Sequence, residues 1–323
     1  MSNLRVAVVG AGAFGKNHLR ILAATPDVEL VSAVDLNEGA AQQAAHEFNC
    51  KPITDYRQLA GIADAAVIAT PTSTHEEIAT FLMDAGLDVM IEKPIAASVD
   101  AAERLGAKAA STARILQVGH LERFNPAVRA LEKLTTLPLF FEVHRLSLFS
   151  PRSLDVDVVL DLMIHDLEII LALTKSEPEE VRASGISILS KKVDIANVRL
   201  AFPGGVVANL TASRVSTERV RKLRLFQPSQ YISIDYGKQE LLAVGVTAER
   251  QVQFLPTQVT KDEPLRLELE HFFDCVRTRN APLVGAFEAT RALRVAEAIL
   301  AKIAEHGAIV EQTIATSSLL RPS

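Results

Sequence analysis

Short β-branched runs and amphipathic stretches alternate through the first third of the chain. LRVAVVG, VELVSAVD, AAVIAT, LDVMIEKP and ARILQVGH are apolar at consecutive positions, as strands covered on both faces must be. Between them GKNHLRILAAT, AAQQAAHEFN, EEIATFLMDAG and SVDAAERLGAKAAST place apolar residues at helical spacing. Strand and helix in alternation predict a doubly wound parallel sheet flanked by helices.

The rhythm changes after about residue 121. Residues 139 to 149 and 181 to 255 contain period-2 segments, among them VRASGISIL, ANVRLAF, GVVANLTAS, RKLRLFQ and YISIDY. FPGGVV sets Pro203, Gly204 and Gly205 at a hairpin turn. These segments predict a large, mainly antiparallel open sheet. From residue 264 the pattern returns to helix in LRLELEHFFDCVRT and FEATRALRVAEAILAKIAEHG. The expected architecture is an α/β domain over residues 1–121 followed by an α+β domain over residues 122–323.

Composition narrows the class. With 323 residues, 48% hydrophobic and 23% charged, the chain is long enough for two packed domains. A formal net charge of -5 supplies no general attraction to nucleic acid or to an anionic membrane, so neither is an expected partner. No apolar run reaches the roughly 18 residues of a membrane span. The first strand begins almost at Met1, which leaves no room for a secretory leader and predicts a cytoplasmic protein. Cys50 and Cys275 match no ligand spacing and are read as ordinary buried thiols; no metal site is expected.

The first strand runs directly into GAGAFG, residues Gly10, Ala11, Gly12, Ala13, Phe14 and Gly15. In a dinucleotide fingerprint the first glycine permits the tight turn, the second lets a pyrophosphate approach the backbone, and the third lets helix pack on strand. The following helix then offers free N–H groups to phosphate. Asp35 ends the second strand, where a carboxylate accepts hydrogen bonds from the adenine ribose and repels a 2'-phosphate, so NAD is the expected cofactor of a Rossmann domain. TPTSTHEE places Thr70 and Pro71 at another strand's carboxyl end, where the loop can line the nicotinamide side, with Thr74 and Glu77 spaced as a capping box and His75 either a cofactor contact or a surface histidine at the helix start. MIEKP puts Glu92 and Lys93 at a third such end.

Residues 158 to 170, VVLDLMIHDLEII, pose a different question, because so apolar a helix carries Asp161, His165, Asp166 and Glu168. Burying charge costs several kcal/mol unless a partner or ligand compensates. Asp161 and His165, four apart, share a helix face that Asp157 and Glu168 extend, whereas Asp166 points about a hundred degrees away and is read as structural. A polar stripe of this kind suits a ligand cleft.

GAGAFG, EKP and a later DxxxH helix, in this order, resemble the glucose-fructose oxidoreductase and inositol dehydrogenase (Gfo/Idh/MocA) family over nearly the whole chain. The resemblance implies that Lys93, Asp161 and His165 correspond to the family's catalytic lysine, aspartate and histidine. Oxidising a secondary alcohol removes a hydride, which nicotinamide accepts, and a proton. His165 suits the general base, Lys93 the stabilisation of charge on oxygen, and Asp161 the orientation of a hydroxyl or of the histidine; whether lysine or histidine takes the proton stays open. The expectation is that the two side chains meet beside the nicotinamide.

GHLERFNP, containing His120, Arg123 and Asn125, together with MIHD resembles the branch acting on the 3-hydroxyl of UDP-N-acetylglucosamine, whose keto product an aminotransferase can consume. Arg123 and Asn125 are read as substrate contacts, with a structural helix start as the alternative. Arg214, Arg219, Arg221, Lys222 and Arg224 suit a diphosphate, or simply a solvated strand face. Inositol or another free polyol is the competing substrate, and an NAD-binding regulator without chemistry is the competing class. The open face of the second sheet suggests a homodimer or homotetramer.

Overall fold

The computed structural model describes residues 3–149 and 156–316. The first sheet has six parallel strands, β1 (Leu4–Val9), β2 (Val28–Val34), β3 (Lys51–Ile53), β4 (Ala65–Ile68), β5 (Asp88–Glu92) and β6 (Leu116–Gly119), in the order β3-β2-β1-β4-β5-β6. Helices α1 (Ala13–Ala24), α2 (Glu38–Phe48), α3 (His75–Asp84) and α4 (Val99–Thr112) connect them. The strand order reverses between β1 and β4, and parallel strands bring their carboxyl ends to one edge, so a crevice opens there. Only β3 was not visible in the hydrophobic pattern; KPI is three residues long and two of them are exposed.

The second sheet has eight strands in the order β14-β13-β12-β11-β7-β10-β9-β8. They are β7 (Phe140–Leu148), β8 (Glu180–Ile186), β9 (Ile195–Ala201), β10 (Val207–Ser216), β11 (Val220–Gln227), β12 (Gln230–Asp235), β13 (Glu240–Val246) and β14 (Val252–Leu255). All neighbours are antiparallel except β7 and β10. The expected FPGGVV turn joins β9 to β10, with Gly204 and Gly205 at positive φ. One sheet face is buried: Phe141, Val143, Leu223, Leu225, Ile232 and Ile234 share a core with residues of α5 (Pro126–Leu134), α6 (Ile164–Thr174) and α8 (Ala286–Thr316).

The chain forms two compact units, one reaching to Phe124 and adding Asp262–Thr290, the other comprising Asn125–Lys261 and the residues from Arg291 on. The expected division into continuous domains 1–121 and 122–323 is therefore corrected. The first boundary moves by three residues, and α7 (Pro264–Thr278) joins the parallel sheet's unit. The physical reason is its apolar face: Leu269, Phe272, Phe273 and Cys275 pack in one core with Val6, Val8, Leu19 and Leu22. Cys50 is half-buried and Cys275 buried. No helix among the described residues is long and apolar enough to cross a membrane.

Candidate active site

The dinucleotide turn follows β1 at the switch point. Gly10 has a φ of +100°, and a Cβ there would stand 2.5 Å from Ala69 O. A Cβ on Gly15 would stand 1.7 Å from Gly10 O, so helix and turn close only around hydrogen. Gly12 is the N-cap of α1, with nothing within 4 Å of its Cβ position, no capping side chain and no acidic residue in the first turn. An anion can thus reach the backbone N–H groups of Ala13, Phe14 and Gly15 unopposed. Phe14 is exposed at 59%. Asp35, half-buried after β2, accepts from Ala11 N and Asn37 N at 2.9 Å each, which fixes its carboxylate beside the turn. These features fit a bound NAD.

At the ends of β4 and β5 the loops are tied together by His75. Its Nδ1 lies 3.1 Å from Pro94 O and its Nε2 3.0 Å from Thr70 O, and the ring is 1% exposed. Burial holds this imidazole below its ordinary value. As a neutral imidazole it carries one N–H and donates to one of these two carbonyls, which places the buried ring between Thr70 and Pro94. The anticipated capping box does not form: Thr74 Oγ1 donates toward Thr70 Oγ1 and Pro71 O, while Glu77 accepts from Tyr56 and Arg57. A short helical turn at Thr72–Thr74 precedes α3 and removes the geometry a capping box needs.

Glu92 ends β5 inside the unit. His18 Nε2–H donates to its Oε1 at 2.7 Å, and Lys93 N–H donates to its Oε2 at 3.3 Å. Burial would push this carboxyl up, yet the attraction of His18 and of Lys93 brings it below the usual range. His120, 1% exposed after β6, is held down to about 3 by burial and then by the nearby Lys93 charge. Lys93, just beyond the end of β5, therefore has a carboxylate and a neutral imidazole as its electrostatic neighbours. Sequence reading missed His18, which gave no signal beyond being a histidine on an apolar helix face.

In the other unit, Asp161 and His165 lie on a helix that begins with a π turn over Val159–Met163, where Ile164 N–H donates to Val159 O five residues back. Such widened turns recur at functional sites because they re-aim the flanking side chains. Asp161 is half-buried and His165 is 7% exposed. The expected stripe is shorter than its spacing suggested. Asp157 Oδ1 instead accepts from Val193 N at 2.9 Å, and Glu168 is buried. Asp166 is structural, receiving Arg145 Nε–H at 2.6 Å and Nη2–H at 2.9 Å, while that guanidinium stacks 4.9 Å above Tyr236.

Arg123 and Asn125 fall on either side of the unit boundary. Arg123 is half-buried in the turn Leu121–Phe124. Asn125 Oδ1 caps α5 by accepting from Ala127 N, and Nδ2 donates to Tyr236 O, so its amide serves the helix start that was the alternative reading. The basic run does not converge: Arg214 is buried with Val156 O, Val193 O and Asp194 as partners, and Arg224 pairs with Glu142 at 3.0 Å.

Comparison with known proteins matches two separate segments of the chain. Residues 4–120 fit a family described as an oxidoreductase family with an NAD-binding Rossmann fold, and residues 145–227 fit the GFO/IDH/MocA C-terminal domain. UDP-N-acetylglucosamine 3-dehydrogenase of Acidithiobacillus ferrooxidans is 34% identical over 92% of this chain and 96% of its own length. The scyllo-inositol 2-dehydrogenase (NAD(+)) of Bacillus subtilis is 28% identical over 90% and 92%. A solved structure of the Acidithiobacillus ferrooxidans enzyme superposes with a TM-score of 0.90 at 33% identity, covering 95% of this chain and 99% of that one. The Lactobacillus casei scyllo-inositol dehydrogenase with bound NAD(H) and scyllo-inositol shares the fold, at a TM-score of 0.80, 18% identity and coverage of 94% and 98%.

Proposed function

The chain belongs to the Gfo/Idh/MocA family of NAD-dependent oxidoreductases, and we propose that it oxidises the 3-hydroxyl of UDP-N-acetylglucosamine to the 3-keto sugar. What carries the substrate assignment is the 34% identity to a 3-dehydrogenase of that nucleotide-sugar across 92% of the chain. GHLERFNP and MIHD support it from the sequence. NAD, when bound, accepts the hydride.

The chain's own groups manage the proton and the charge. His165 takes the hydroxyl proton as general base. Lys93 stabilises the negative charge that develops on the alcohol oxygen, and Asp161 orients the hydroxyl. Arg123 holds the polar body of the substrate. The keto product has a carbonyl that an aminotransferase would convert to an amine. A homodimer or homotetramer is the proposed assembly.

The test is to incubate the protein with NAD, UDP-N-acetylglucosamine and a carbonyl trap, then look for the trapped 3-keto sugar by mass spectrometry. The trap removes product from an unfavourable equilibrium. No adduct, with turnover on scyllo- or myo-inositol instead, would reassign the chain to a polyol.

A further inference from the structure

An oxidoreductase lysine needs its charge and its backbone held still, and the first unit contains a buried arrangement suited to both. Glu92 has His18 from α1 and Lys93 beyond β5 as partners, and its charge is felt by His75 from α3, His120 beyond β6 and Glu268 from α7. His18 holds Oε1 and the Lys93 main chain holds Oε2. Gly119 on β6 leaves the room, since a Cβ there would stand 2.9 Å from Glu92 Oε2.

Glu268 makes the arrangement unusual. It is 0% exposed, and neither of its carboxyl oxygens has a hydrogen-bond partner, although Gln117 Nε2–H donates to its backbone oxygen at 3.0 Å. Burial, with Glu92 nearby, holds the Glu268 carboxyl well above the ordinary range. Two carboxyls thus share one interior, and the one with donors is the one that carries charge.

We propose that Glu92, braced by His18, is a positioning residue for Lys93: its carboxylate pins the lysine main chain and places a negative charge beside the ammonium. The inference rests on the catalytic reading of Lys93, but its central measurement does not depend on turnover. In protein carrying 13C-labelled lysine, the Lys93 resonance is assigned by its loss in Lys93→Ala and titrated by NMR. In Glu92→Gln, which keeps the shape and removes the charge, the midpoint falls by about one pH unit, the lower end of the effect of a nearby opposite charge. In Glu268→Gln it stays, because a neutral acid is replaced by a neutral amide.

Turnover gives a second reading. Glu92→Gln lowers kcat about 10-fold or more and moves the alkaline limb of its pH profile to lower pH, while the Kd for NAD changes less than about 3-fold. Gly119→Ala displaces the carboxylate without removing its charge, so it lowers kcat and leaves the limb in place; it also serves if Glu92→Gln does not fold. An unchanged Lys93 midpoint in Glu92→Gln overturns the proposal, as does an equal shift in Glu268→Gln or unaltered kcat in Gly119→Ala. Loss of NAD affinity in Glu92→Gln overturns it in favour of a cofactor contact. A shifted midpoint in a protein that fails to oxidise any sugar leaves the positioning role standing and removes the dehydrogenase reading.

Discussion

At the scale of single residues, chemistry and packing leave different traces in a sequence. Gly10 and Gly15 were legible because their spacing encodes a steric demand, and the structure shows that demand in an added Cβ standing only 2.5 Å and 1.7 Å from a backbone oxygen. Gly15→Ala therefore should abolish NAD binding measured by calorimetry and lower the melting temperature, whereas Gly12→Ala, with open space around it, should stay folded. The partners of Glu92 were not legible, since His18 and Glu268 meet it through tertiary packing that no local spacing announces. For the proposed chemistry, Lys93→Ala and His165→Ala should each retain NAD affinity while turnover falls at least ~100-fold. Near wild-type turnover in either variant would remove that residue from the reaction.

At the scale of elements, period and turn chemistry made most strands and helices readable, and the exceptions have physical causes. The π turn at Val159–Met163 has the same composition as an α-helix, so the extra residue in its hydrogen-bonded ring is invisible until the chain is folded. α7 was read correctly as a helix, but an amphipathic pattern says which face is buried and not which sheet buries it. Asp166 was separable from Asp161 and His165 by helical angle alone, and its pairing with Arg145 bears that out. Removing one partner strands a buried charge, so Arg145→Leu should cost about 3 kcal/mol in chemical denaturation.

The β8–β9 connection makes a pH-dependent case at the same scale. Asp194 accepts from the N–H groups of Ile188, Leu189 and Ser190. Burial would raise its pKa, but these donors bring it to about 2, below the ordinary 3.8. A carboxyl depressed on folding stabilises the native state above its unfolded pKa and loses that contribution as pH falls through the folded value. Asp194→Asn should accordingly melt about 5 °C below wild type at pH 7 and at pH 5. The gap should narrow as pH drops from about 4 toward 2; a gap independent of pH would remove the charge from the explanation.

At the scale of the whole molecule, the second sheet poses a solubility problem that a monomer would leave unsolved. Registration places Phe140, Phe226, Tyr231, Val244 and Phe254 side by side across β7, β11, β12, β13 and β14, on the face opposite the core. Phe140 and Phe226 meet edge to face at 5.7 Å, and Phe226 and Tyr231 follow at 5.1 Å. Phe254 is 74% exposed and Leu242 47%. Large contiguous exposed apolar patches mark surfaces used for interaction. In the proposed homodimer a second copy offers the same face and closes the pair by twofold symmetry, the commonest symmetry of homo-oligomers. Light scattering after size exclusion should then give a mass of two or four chains for the wild type. Phe226→Asp with Phe254→Asp should shift it toward one chain, because two carboxylates cannot be desolvated in the middle of an apolar contact without several kcal/mol of cost. A wild type that runs as one chain at micromolar concentration would leave the row without a subunit to cover it.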